Sequence, residues 1–138
     1  MARKQNASQR DPFGGGVDPA DLALAFEKLS EAAKDLPEVE PHIWYGTPAL
    51  KVGKKSLCRV KDPGTVVLMC SLEEKEMLLE AAPDLYFETD HYKGWPAILV
   101  RIHAIPLEEL RHRLERIWLR LAPRKLVKER ERAAGRML

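Results

Sequence analysis

The chain is short of the residues on which much small-domain chemistry depends. Two cysteines, Cys58 and Cys70, occur in 138 residues, too few for a disulfide framework or a four-thiolate zinc site. They lack CxxC spacing, flank an expected hairpin turn and read as two small buried apolar side chains. No apolar run approaches the ~20 residues of a bilayer-spanning helix, so no membrane association is expected. Met1 to Arg10 contain no apolar stretch, so no secretion signal is expected, and the cytoplasm is the expected compartment. No internal repeat is present.

Motifs of catalysis are missing as well. Gly14-Gly15-Gly16 runs into Val17-Asp18 without the Lys-Ser or Lys-Thr of a phosphate loop, and there is no nucleophile elbow and no HExxH helix. His42, His91, His103 and His112 are scattered without ligand spacing, so neither a metal nor a cofactor is expected. Nothing beside Cys58 in sequence would depress its pKa. With only His91, His103 and Cys58 as reactive groups, the expectation is a protein that is not an enzyme.

What remains suits one domain: 15.7 kDa with 45% apolar residues is enough for a core of its own. The expected division is a flexible tail over 1–17, a single α+β domain over 18–122, and a basic extension over 123–138, frayed helix or disordered. A net charge of +2 conceals segregation. Residues 1–10 carry +3, residues 11–100 carry −7 and residues 101–138 carry +6, while Gly46 to Lys61 hold five basic groups and no acid. Such partition bears on partner choice more than the total does.

Local patterns predict the elements. Asp18 caps a helix, Pro19 suits its first position, and Leu22, Phe26, Leu29, Ala33 and Leu36 form its apolar stripe until Pro37 ends it. Strands are expected over 49–52, 56–61 and 65–70, with turns at Gly53-Lys54-Lys55 and Asp62-Pro63-Gly64. A three-residue loop Pro63-Gly64-Thr65 sets Cys58 opposite Cys70 and Val60 opposite Leu68. Those four share a face with Val66, and Arg59 points to the other. Ser71 and Glu74 form a capping box for a helix to Ala82. A short strand at 86–88, a loop at 89–96 and a strand at 97–102 follow. The last helix carries Leu107, Leu110, Leu114, Ile117 and Leu121 on one stripe, with Trp118 beside it.

Three segments are candidate sites. Lys51, Lys54, Lys55, Arg59 and Lys61 form either a cationic hairpin that lies along phosphates or lysine protection of a sheet edge. Arg111, Arg113, Arg116 and Arg120 lie off the apolar stripe, as a mostly exposed cationic face or as a solvated face with local ion pairs. The segments Trp44-Tyr45-Gly46 and His91-Tyr92-Lys93-Gly94-Trp95-Pro96 offer aromatic groups for stacking, or rigid corners packed on the sheet. Glu88 and Asp90, just before the second, would repel phosphates.

Trp44-Tyr45-Gly46-Thr47-Pro48-Ala49-Leu50-Lys51-Val52, Lys54-Lys55, Pro83-Asp84-Leu85-Tyr86-Phe87 and His91 to Val100 resemble the MmcQ/YjbR family of small bacterial proteins, in the same order of elements from about Leu22 to Leu121. The resemblance implies an α+β fold whose mainly antiparallel sheet of about four to six short strands is covered on one side by two to three helices. It also implies DNA binding through a double-wing motif. One candidate wing would carry Lys51, Lys54 and Lys55; the other would carry Tyr92, Lys93 and Trp95. The expected function is weak contact with the phosphate backbone of duplex DNA by a monomer, with little sequence reading, through Lys51, Lys54, Lys55, Arg59, Lys61, Tyr92, Lys93 and Trp95. The alternative is a non-enzymatic module that takes a small molecule or a protein partner on an aromatic rim of Trp44, Tyr92 and Trp95.

Overall fold

A computed structural model describes residues 19–137; the expected tail over 1–17 and the Asp18 cap lie outside the described residues. Four helices and six strands follow in chain order: α1 (Pro19–Ala33), β1 (Val39–Trp44), β2 (Thr47–Val52), β3 (Lys55–Asp62), β4 (Thr65–Met69), α2 (Leu72–Ala81), β5 (Tyr86–Phe87), β6 (Ala97–Arg101), α3 (Leu107–Leu121) and α4 (Arg124–Met137). A 3-10 turn at Asp90–Tyr92 lies between β5 and β6. All strand pairs are antiparallel, in the order β1-β2-β3-β4-β6-β5. This is the expected α+β fold.

Two short turns set the registers. Tyr45 and Gly46, both at positive φ (53° and 79°), join β1 to β2, as type I′ hairpins require. Gly53 (φ 61°) and Lys54 join β2 to β3, and Lys55 belongs to the strand rather than to the turn. Strand β1 has no counterpart among the expected strands, because Pro41 and flanking acids mask its pattern. It is an edge strand, where proline is tolerated.

The expected register of β3 on β4 is off by two. Cys58 faces Leu68 and Val60 faces Val66, because Asp62 pairs with Thr65 across a two-residue loop and a bulge lies between Val60 and Asp62. A two-residue slip keeps every side chain on its face. Cys58, Val60, Val66, Leu68 and Cys70 therefore still join one core, and Arg59 still points away from it.

That core lies between the sheet and the helices. Ala25 and Leu29 of α1, Leu78 of α2, Leu110, Leu114, Ile117 and Trp118 of α3, and Val127 of α4 all pack into it. Trp118 is fully buried and donates from Nε1 to the Pro37 carbonyl at 2.9 Å, tying α3 to the corner that ends α1. The basic C-terminal segment is thus a helix docked through Val127. On the opposite face, a smaller cluster of Val67, Ala97 and Leu99 is covered by Met69, Phe87 and Tyr92.

Candidate nucleic-acid interface

Strand registers place the basic loops. Val52, Lys55, Met69 and Ala97 mark one end of the sheet, and β5 runs toward it from Tyr86 to Phe87. The tip Gly53-Lys54 and the Glu88–Pro96 loop both emerge there. A Cβ on Gly53 would lie 3.5 Å from Pro123, so the α3–α4 corner and the Arg124-Lys125 pair that follows it adjoin the same end. Lys54, Lys55 and Lys93 are exposed, and among the described residues none of them, nor Lys51, forms an ion pair. Strands β2 and β3 are interior. Their lysines therefore do not guard an edge.

The Glu88–Pro96 loop is held by a residue the sequence reading missed. Lys75 on α2, only 4% exposed, donates to the carbonyls of Tyr92 (2.7 Å) and Trp95 (2.9 Å) and pairs with Glu88 at 2.8 Å. A lysine in a helix reads as a surface residue, and nothing in sequence marks this one. Glu88, expected to repel phosphates, is instead neutralised by Lys75. Gly94 turns the loop at φ 81°, leaving Trp95 61% exposed.

Arg59 occupies the middle of the open face. Its guanidinium donates to Thr47 Oγ1 (3.1 Å), the Val60 carbonyl (3.4 Å) and Tyr92 Oη (3.1 Å), and lies 5.3 Å from the centre of the Tyr45 ring. Trp44 stands beside Tyr45 at 5.2 Å between ring centres. Arg59 thus joins Trp44-Tyr45 to Tyr92 of the Glu88–Pro96 loop, the loop that also carries Trp95. Lys51 lies on the same face, where it and burial hold His42 below the ordinary 6.5 of an imidazole, burial being the larger cause. Lys61 is at the other end of the sheet, 4.0 Å from Asp62. The expected set therefore divides: Lys54, Lys55, Lys93 and Trp95 at the loop end, Lys51, Arg59 and Tyr92 on the open face, Lys61 apart.

The arginines of α3 have different surroundings. Arg113 donates to Glu74 at 2.6 Å, with both side chains 11% exposed, and lies 3.5 Å from Glu109. Arg116 reaches the same Glu74 at 2.9 Å, and Arg111 pairs with Glu108 and Glu31. Of the two readings, ion pairing holds for Arg111, Arg113 and Arg116, with two of the carboxylates, Glu74 and Glu31, coming from other elements, while Arg120 forms no ion pair among the described residues. Glu74 is hence only half of its capping box: its amide donates to Ser71 Oγ at 3.1 Å, and its side chain serves the arginines.

The reactive groups are quiet. Burial pushes the Cys58 thiol up to about 12 and the Cys70 thiol to about 11. Burial and the 2.6 Å bond to Glu109 push the Tyr86 phenol up. His91 stacks edge-on against Tyr92, and His103 bonds the Pro63 carbonyl at 2.8 Å. Among the described residues no group of three or more His, Cys, Asp or Glu side chains is placed to hold a metal ion. No described helix is long and apolar enough to cross a membrane.

An antiparallel six-stranded sheet with helices on one face, and basic and aromatic loops at one end, defines an α+β domain with an open sheet face. The YjbR family model matches residues 34–120, and the chain belongs to the YjbR family. Uncharacterized proteins of Mycobacterium tuberculosis and Mycobacterium bovis are 32% identical over 103 residues, covering 65% of this chain and 80% of theirs. No solved structure matches it at comparable significance.

Proposed function

We propose that this protein is a cytoplasmic, monomeric, non-catalytic module that binds duplex DNA weakly through its phosphate backbone, with little sequence reading. The observation that carries this reading is the set of lysines without ion pairs among the described residues, Lys54 and Lys55 on the β2–β3 hairpin and Lys93 on the Glu88–Pro96 loop, at one end of the sheet. Free cations release counterions when they meet phosphates, whereas cations already paired gain little. The hairpin tip and the Lys75-held loop serve as the two wings, with Lys51 and Arg59 on the face between them.

A rim-binding module would need Trp44, Tyr92 and Trp95 around one concavity. The test of the DNA reading is fluorescence anisotropy on a random duplex with the native chain and with Lys54→Glu plus Lys55→Glu. The double change is expected to abolish binding and leave thermal unfolding nearly unaltered. Retained affinity would remove the hairpin from the interface.

A further inference from the structure

Tyr45 is an uneconomical choice for a turn. A type I′ hairpin needs positive φ at both central residues, which asparagine or aspartate followed by glycine supply most readily. Here the first position is a tyrosine at φ 53°, a region costly for a bulky side chain. The ring does not repay that cost by burial, since the residue is 77% exposed. It is also not isolated: Trp44 flanks it at 5.2 Å, and the Arg59 guanidinium lies 5.3 Å from its centre.

Arg59 adds a second, independent oddity. It is half-buried and has no ion pair among the described residues. Its bonds use Nη1 toward Thr47 and Val60 and Nη2 toward Tyr92. The Nε hydrogen and one Nη2 hydrogen remain without a partner among the described residues. A partly desolvated guanidinium without a counterion is a ready receptor for an anion, and this one sits against an exposed aromatic face.

We propose that Trp44, Tyr45 and Arg59 form a site for an unpaired nucleotide of a single-stranded nucleic acid: the base stacks on Tyr45 and the adjoining phosphate takes the free donors of Arg59. Open sheet faces that carry aromatics and cations suit unpaired bases, because every base offers a π face and duplex bases do not. The Trp44-Tyr45 turn stands at the opposite end of the sheet from Lys54, and the site shares only Arg59 with the duplex reading.

The test compares anisotropy of a labelled dT oligonucleotide and of a random duplex, for the native chain, for Tyr45→Asn and for Lys54→Glu plus Lys55→Glu. Asparagine suits the turn, so Tyr45→Asn removes the ring while keeping the hairpin, and circular dichroism and thermal unfolding verify that it does. Loss of one stacking ring should weaken single-strand binding about 5- to 100-fold and leave duplex binding unchanged. Free thymidine monophosphate should compete only weakly, lacking the rest of the strand. The proposal is overturned if the native chain binds no single strand, if Tyr45→Asn binds it as well as the native chain, or if both nucleic acids lose affinity equally.

Discussion

The arginines of α3 and the lysines at the loop end of the sheet carry the same charge in opposite circumstances. Arg111, Arg113 and Arg116 are each held by one or two carboxylates, and Glu74 alone serves two of them. Their work is internal, joining α3 to α1 and α2. Lys54 and Lys93 in turns and Lys55 at the start of β3 are engaged by no carboxylate among the described residues. Lys75 shows that lysine identity is not the divide: buried and triply bonded, it belongs with the structural arginines. Pairing and burial, more than residue type, separate charge that builds the fold from charge available to a partner.

Four changes sharpen this division. Glu74→Ala should have the largest effect on stability, because it takes the 2.6 Å partner from Arg113 in a nearly buried site and leaves only the longer 3.5 Å contact to Glu109. A loss of about 3 kcal/mol is expected, read by urea denaturation, with duplex affinity of the folded fraction unchanged. A stable Glu74→Ala would mean that the arginine network contributes little. Lys75→Met should follow, at about 2 kcal/mol, since it leaves Glu88 and two carbonyls without their donor. Faster amide exchange over residues 88–96 would show that the loop has been released, and unchanged protection there would contradict the clamp.

Lys54→Gln with Lys55→Gln should move the urea midpoint hardly at all, within about 0.5 kcal/mol of the native chain, as exposed side chains without structural partners do. A larger loss would place these lysines with the arginines. The smallest effect concerns pH. His42 is held below 6.5 in the folded chain, so the unfolded chain binds the extra proton first. Its contribution to stability is complete above about pH 6.5 and declines as pH falls through the lower folded value. Thermal unfolding between about pH 7 and 5 should therefore decline less steeply for His42→Asn than for the native chain, and parallel slopes would exclude His42 as a source.

Much of the fold was legible because period and turn chemistry agree locally. The α3 stripe from Leu107 to Leu121 and the strand Ala97 to Arg101 were readable in this way. The β3–β4 register was not, since a two-residue loop with a bulge and a three-residue loop satisfy the same Asp62-Pro63-Gly64 signal and bury the same side chains. Of the candidate site, Lys54 and Lys55 were visible as charge without acid. What stayed hidden depends on contacts distant in sequence: Lys75 to Tyr92 and Trp95, Glu74 to Arg113, and Arg59 to Tyr92. No local pattern encodes such pairings, and these contacts decide which cations are free.

The most direct test of that division is the salt dependence of duplex binding between about 50 and 200 mM, measured for the native chain, for Lys54→Gln plus Lys55→Gln, and for Arg111→Gln plus Arg116→Gln. The native slope of log K against log salt should be about −4 to −5, shallower by about two for the lysine pair and unchanged for the arginine pair. A lysine variant that keeps the native slope, or an arginine variant that loses it, would contradict the account.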